Sequence, residues 1–412
     1  MRAHRLVWIV WGIGCSGGTR SPSPAAAQVR PGIEVLLTDS AHLIAGKRLG
    51  LLSNHTGVDH LGRRDVDVLR TTPDARLTVL FSPEHGFRGT EDRPGLPDGR
   101  DSATGLPIYS MYGGSRSSGL AALDSVDVLL IDLQDIGARY YTYIATATQL
   151  LRYAAAAHKR VLVLDRPNPV DGATVQGNVR QTAGDPDSAF VGFLPIAMRH
   201  GMTLGELARM ANDVLAIGAD LVVVPASGWH RALLYDQTGL PWVKPSPNMP
   251  DLESALHYPG ICLFEGTNVS VGRGTPMAFQ VIGAPWLDPA RVIASLDTVA
   301  RRGVDVRRTT FIPKSPTDGK YDGVILQGIE LRVRDRAIYD PTKLAVALLT
   351  AFRAVHPAEF QFRAQSIDRL ASGPQLRTAV EAGRPAREIW TAWDNDLAHF
   401  RVARARYLLP EY

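Results

Sequence analysis

Five stretches of this chain stay apolar over the length of a β-strand and then run out into polar residues: Arg48–Ser53, Arg76–Phe81, Val126–Leu133, Arg160–Leu164 and Asp220–Val224. A strand with one face in water alternates apolar and polar side chains, whereas a strand covered on both faces does not. The unbroken runs therefore predict a parallel sheet with helices on both sides. The segments between them agree: Tyr140–His158 is long and Ala-rich, and Met202–Ile217 opens with Thr203 and Glu206 at capping-box spacing. The expectation is a right-handed, doubly wound α/β sheet. At roughly 150 residues per domain, 412 residues leave room for more than this one unit.

After Val224 the pattern changes. Trp229–Leu263 reads as loop-rich, with Pro241, Pro245, Pro247, Pro250 and Pro259, and Gly260–Thr275 is polar and punctuated by glycine. Farther on, Pro289–Arg302, Pro341–His356, Gln375–Ala382 and Ala386–Ala405 have helical periodicity, and Gly328–Val333 suits a strand. The sequence thus predicts a first domain over residues 28–229 and a smaller α+β C-terminal domain over 230–412.

The N-terminus reads as an address. Met1–His4 is basic, Leu6–Gly14 is apolar for nine residues, and a Ser/Pro/Ala-rich stretch follows, so residues 1–27 have the layout of a signal peptide too short to span a bilayer. Export is expected, to the periplasm or to a membrane-anchored lipoprotein form. Two cleavage sites compete: Ala25-Ala26-Ala27 fits A-x-A, and Gly14-Cys15-Ser16 fits a lipoprotein junction with acylated Cys15, although Gly12 stands where leucine is usual. Gly12–Gly17 also matches G-x-G-x-x-G, but with no strand before it and no helix after it the match is false. Removing Arg2, Arg5 and Arg20 from the 45 Lys+Arg leaves 42 against 41 Asp+Glu, so the net charge of +4 gives no reason to expect a nucleic-acid partner. Cys15 and Cys262 are too few for a disulfide scaffold or a thiolate metal site.

In doubly wound sheets ligands bind beyond the carboxyl ends of the strands. Those ends here are Ser53-Asn54-His55, Ser82-Pro83-Glu84-His85-Gly86, Asp132-Leu133-Gln134-Asp135 and Asp165-Arg166-Pro167-Asn168. Helix caps and turns would explain one such cluster but not four in succession. No G-x-S-x-G, H-E-x-x-H, C-x-x-C or P-loop pattern is present, and no cofactor is expected. What remains is carboxylates. Glu84, at a sharp turn, and Glu265, after the apolar Cys262-Leu263-Phe264, are candidates for the acid pair that hydrolyses a glycosidic bond. The structural alternatives are ion pairs with Arg88 and Arg273. Asp132, Gln134, Asp135, Arg139, Tyr140, Tyr141 and Tyr143 suit a sugar, since carboxylates accept hydroxyl protons and rings pack on pyranose faces; an Asp132–Arg139 salt bridge is the alternative. Arg166, Arg273 and Lys244 are candidates for a substrate carboxylate. Asn54, Asn168, Asn248, Asn268 and His200 complete the polar set. A metal-dependent hydrolase using His55, His85 and Asp132 is a lesser alternative, because no close His pair with an acid supports a metal site. Asn54-His55-Thr56 and Asn268-Val269-Ser270 match the glycosylation sequon, a pattern too short to carry weight.

Six of these segments together resemble one family. Ser82–Gly89 (SPEHGFRG), Asp132–Tyr143 (DLQDIGARYYTY), Asp165–Pro169 (DRPNP), His200–Thr203 (HGMT), Lys244–Pro250 (KPSPNMP) and Leu263–Ser270 (LFEGTNVS) are similar to motifs of the NamZ-type exo-β-N-acetylmuramidases, a family first known as a domain of unknown function. The resemblance runs from about Gly32 to Tyr412. It implies a Rossmann-like domain, a smaller C-terminal domain and a cleft between them. It also implies release of terminal non-reducing N-acetylmuramic acid (MurNAc) from peptidoglycan fragments, MurNAc-GlcNAc among them, in cell-wall turnover. Glu84 is the leading catalytic residue by motif match, and the substrate's N-acetyl group could replace a second carboxylate as nucleophile. A non-catalytic muropeptide-binding protein is the alternative. The sequence departs from the family at Gln280, where relatives more often carry glutamate, which puts activity or specificity at issue.

Overall fold

The computed structural model describes residues 28–91, 95–114 and 116–412; the expected export signal in residues 1–27, with its false glycine motif and Cys15, lies outside them. Twelve strands form in chain order: β1 (Lys47–Ser53), β2 (Ala75–Ser82), β3 (Gly99–Arg100), β4 (Pro107–Ser110), β5 (Val128–Asp132), β6 (Arg160–Leu164), β7 (Gln176–Val179), β8 (Ala197–Arg199), β9 (Leu221–Val224), β10 (Val281–Ala284), β11 (Val304–Phe311) and β12 (Leu326–Val333). The large sheet has the order β3-β4-β2-β1-β5-β6-β9 and is parallel except for β3 against β4. The five apolar runs are its five central and edge parallel strands β1, β2, β5, β6 and β9. From β1 the chain proceeds outward through β2 and β4, then returns to β5 on the other side of β1, so the order reverses between β1 and β5 and leaves a crevice at their carboxyl ends.

The sheet is wound on both faces, as the continuous runs require. Leu49, Leu51, Leu80, Leu130, Leu162 and Leu164 face one layer, where Ile33 and Leu36 of helix Gly32–Thr38 and Val66 and Leu69 of helix Asp65–Thr71 pack on them. Leu52, Val79, Phe81, Leu129, Ile131, Val161 and Val163 face the other, against helices Tyr143–Ala156 and Leu204–Val214. Thr203 and Glu206 close the expected capping box. This second face shares one continuous apolar core with the C-terminal part, which holds the antiparallel sheet β10-β12-β11 and helices including Pro341–Val355.

Asp165, just beyond β6, accepts from Gly205 N at 2.8 Å and from the Tyr412 hydroxyl at 2.9 Å, tying the sheet, a helix start and residue 412 together. Its burial pushes its pKa up to about 7.

Several elements differ from the sequence reading. The proline-rich Trp229–Leu263 contains a buried helix, Leu252–Ile261, started by the side chain of Asp251, with Pro259 in its last turn, where it removes one i→i−4 bond close to the helix end. The helix expected over Pro289–Arg302 stops at Ala294, and that over Ala386–Ala405 is two, Ala386–Thr391 and Asp394–Ala405, with a break that turns Trp390 inward. Sheet edge β3 and strand β11 carry no continuous apolar run that would announce them, and β10 is apolar but only four residues long.

Candidate active site

β2 delivers Ser82 to the crevice, Pro83 follows, and the backbone then turns through His85 (φ 69°) and Gly86 (φ 73°). Glycine takes this left-handed region freely, but histidine does so at a cost, which marks the turn as held by its surroundings. Glu84 stands half-buried on its near side. Thr142 Oγ1 donates to Glu84 Oε2 at 2.6 Å, and Oε1 has no partner among the described residues. Arg88 pairs with Asp101 at 2.7 Å, so the alternative in which Glu84 is bound to Arg88 does not occur.

Glu84 borders a cleft of about 240 Å³, open to solvent on one side. His85, Tyr140, Tyr141, Thr142 and Tyr143 line it with Val191, and from beyond residue 230 come Ser246, Asn248, Tyr258, Cys262, Glu265, Arg273, Phe279, Ser366, Arg369 and Leu370. A linked aromatic band forms part of the wall. Tyr141 meets Tyr143 edge-on at 4.8 Å between centroids, Tyr258 meets Tyr141 at 6.3 Å, and Phe279 meets Tyr258 at 4.7 Å. Burial raises the pKa of Tyr141, Tyr143 and Tyr258 well above the usual tyrosine range, so these hydroxyls stay neutral.

Glu265 sits in the short helical turn Cys262–Gly266. Arg273 Nε donates to Glu265 Oε1 at 2.6 Å, and the Cys262 thiol lies 3.6 Å from Oε2. The ion pair anticipated as the structural alternative is thus formed, yet both partners still face the cleft. Phe279, itself at φ 64°, lies under the Arg273 guanidinium at 5.6 Å. The turn is held from behind by the buried Lys320, whose amine donates to the carbonyls of Phe264 (3.2 Å), Glu265 (3.4 Å) and Val269 (2.9 Å); burial brings its pKa down to about 8. Nothing in the sequence around Lys320 distinguished it from a surface lysine.

Of the residues the sequence nominated, Glu84, Glu265, His85, Tyr140, Tyr141, Tyr143, Asn248 and Arg273 line the cleft, and the others are engaged elsewhere. Asp132 binds Arg166 through two guanidinium nitrogens, and Arg166 also donates to Val58 O at 2.8 Å. A guanidinium so enclosed is not free for a substrate carboxylate. Asp65 lies 3.9 Å from the same guanidinium, and burial together with Asp132 raises its pKa well above the ordinary carboxylate range. The Asp132–Arg139 bridge is absent, because Arg139 is spent on the carbonyls of Asn178, Ile196 and Leu370. Gln134 donates to Asp135 O and Pro167 O, Asp135 accepts from Gly137 N, and Asn168 donates to Met202 O. His200 accepts from Met202 N on Nδ1 and turns Nε2 toward Asp135 at 3.5 Å. Asn54 donates to the Tyr143 hydroxyl at 2.8 Å, so it supports a cleft residue from behind. His55 Nε2 is bonded to Lys244 O at 2.5 Å, and the exposed Lys244 amine is not part of the cleft wall. His55 and Asp132 are therefore committed within the protein and do not converge on a metal with His85. Asn268 bonds Glu359 O and Gln361 N, clamping the segment that follows onto the Glu265 turn. Gln280 is also away from the cleft. Its amide donates to both oxygens of Asp251 (2.9 and 3.1 Å) at the start of helix Leu252–Ile261, a role that a glutamate would perform badly beside that carboxylate.

Sequence reasoning missed the wall supplied by Ser366, Arg369 and Leu370. Their helix, Ala364–Leu370, has no motif; its position depends on Gly266, where a Cβ would lie only 2.6 Å from Ile367 Cα.

A doubly wound α/β sheet whose switch-point loops hold one open carboxyl against an aromatic, polar cleft defines a protein built to act on a small carbohydrate-like ligand. The chain matches the model for the N-terminal part of the exo-β-N-acetylmuramidase NamZ over residues 49–253 and that for its C-terminal part over 256–409, and it belongs to this family. It is 38% identical over 398 residues to the peptidoglycan β-N-acetylmuramidase NamZ of Bacillus subtilis, spanning 96% of this chain and 94% of that protein. Two crystal structures of DUF1343 family proteins from Bacteroides fragilis are similar. One has a TM-score of 0.83 at 31% identity and the other 0.73 at 32%, each covering 93% of this chain and 99% of its own. The cleft takes its wall from both matched segments.

Proposed function

We propose that the protein is an exported glycoside hydrolase that removes terminal non-reducing N-acetylmuramic acid from peptidoglycan fragments. The observation that carries the reading is Glu84, fixed on one oxygen by Thr142 and open on the other toward a sugar-sized cleft. In this reading Glu84 is the general acid. It gives its proton to the glycosidic oxygen as the bond to the anomeric carbon breaks; a water adds its hydroxyl to that carbon, and the proton the water gives up returns to Glu84. Glu265, ion-paired with Arg273, faces the positive charge that develops on the sugar or orients the N-acetyl group; the tyrosine band packs on the ring. Residues 28–229 form the catalytic Rossmann-like domain, and the part from residue 230 closes the cleft. The export address in residues 1–27 puts the activity outside the cytoplasm, and the mass of the mature N-terminus tells acylated Cys15 from cleavage after Ala27.

The test is incubation of purified protein with defined muropeptides, followed by mass spectrometry of released sugar. Free MurNAc is expected from wild type. Glu84→Gln should lower kcat by about 10³-fold, within the range for loss of a general acid, with Glu265→Gln less severe. Saturable binding with no product would make the protein a muropeptide binder; wild-type turnover by Glu84→Gln would remove Glu84 from the chemistry.

A further inference from the structure

Two arginines line the cleft, and their situations differ. Arg273 is neutralised by Glu265 at 2.5 Å. Arg369 makes no ion pair or side-chain hydrogen bond among the described residues, and its side chain is exposed on the cleft wall. Its neighbour Asp368 does not satisfy it, being held by Arg377 through contacts of 2.9 and 2.8 Å. An uncompensated guanidinium inside a concave site is a ready receptor for an anion, and its planar fork matches a carboxylate bidentately.

The fold also takes care to hold Arg369 where it is. Its helix, Ala364–Leu370, lies directly on the Glu265 turn because Gly266 presents no side chain, and Arg363 N donates to Gly266 O at 2.8 Å. At the other end, Leu370 O accepts from Arg139 Nη2 at 2.9 Å and Ala371 O accepts from Asn178, so groups of the first part of the chain satisfy the helix terminus. Arg139 is almost fully buried. The backbone that carries Arg369 is fixed in this way, so that binding an anion has only the arginine side chain left to order.

We infer that Arg369 is the specificity residue that reads a carboxylate on the substrate, and that this carboxylate is the free lactyl acid of the muramic residue, with Ser366 one turn earlier on the same wall. The inference rests on the muramidase reading above, since a muramic sugar differs from its N-acetylglucosamine counterpart by that acidic ether. Glu84 and Glu265 remain the groups at the reacting bond; Arg369 acts at the sugar's periphery.

The experiment compares two 4-nitrophenyl β-N-acetylmuramides, one with the lactyl acid free and one with it converted to the primary amide. Wild type is expected to favour the acid by kcat/KM. Arg369→Gln should lose about 10- to 100-fold on the acid, the scale of a charge-assisted hydrogen bond, and change little on the amide, so the preference collapses; Arg369→Lys should keep part of it. A merely structural residue would lower both substrates alike. Equal turnover of acid and amide by wild type, or an unchanged preference in Arg369→Gln, overturns the inference while leaving the muramidase reading intact. Failure of wild type to cleave either glycoside, or any defined muropeptide, overturns both.

Discussion

Replacing Gly266 by alanine tests whether the cleft is assembled by direct packing of helix Ala364–Leu370 on the Glu265 turn. The new Cβ would meet Ile367 Cα at 2.6 Å, Ile367 Cβ at 2.7 Å and Ile367 N at 2.7 Å. Ordinary carbon contacts begin near 3.4 Å, so the surfaces must part by about 0.8 Å, and because two of these atoms are backbone no rotamer change relieves them. The helix has to move as a body, and it carries Ser366, Arg369 and Leu370 out of register with Glu84 and Glu265. Overpacking of this kind costs about 1–3 kcal/mol, and a displacement near 1 Å in a positioned site is worth up to ~10²-fold in rate. The assay pairs urea denaturation with kcat/KM on a chromogenic muramide, measured where the variant is fully folded. The expected result is a modest loss of stability and a loss of activity on the order of 10- to 100-fold. Unchanged kcat/KM together with unchanged stability would refute the claim that this contact sets the cleft wall.

Two further outcomes follow from buried charge. Asp165 has a folded pKa of about 7 against 3.8 in a model carboxyl, so the native state holds the proton more tightly. Its contribution to stability is complete below about pH 4 and is lost as pH rises toward 7, by ~4 kcal/mol for three units. The difference in unfolding free energy between wild type and Asp165→Asn, followed by urea denaturation from pH 4 to 7, should carry that slope, and parallel curves would dismiss it. Arg166→Met leaves Asp132 and Asp65 buried without a countercharge; a destabilisation of about 3–5 kcal/mol is expected by the same method, and a loss under 1 kcal/mol would mean that water reaches these acids.

How far the site was legible depended on why each polar residue is there. The strand ends are rich in acids, amides and arginines for two reasons that look alike in one dimension. Glu84 keeps one oxygen unbonded at the cleft, whereas Asp132, Arg166 and Asn168 close the crevice by bonding one another and the backbone. A buried carboxylate and a catalytic one draw on the same residue types, because both need partners in a medium of low polarity. The distinction rests on whether the left-over oxygen stands at the cleft, as for Glu84, or is sealed in the interior, as for Asp135 Oδ2, and that depends on neighbours distant in the chain, Thr142 being 58 residues from Glu84. Gln280 makes the same point in reverse, since its departure from the family pattern concerns the start of a helix and not the cleft.

By itself the sequence determined the α/β class, the position of the parallel strands and the loop that carries Glu84. Unbroken apolar runs can be buried only between two layers, and ligands in such sheets meet the strand ends. Only the tertiary structure decided which cation faces the cleft without an acid beside it. Arg166, Arg273 and Arg369 are chemically the same group, and each one's role is set by whether the fold brings an acid within hydrogen-bonding reach. For Arg166 and Arg273 it does, and for Arg369, on a helix seated against Gly266, it does not.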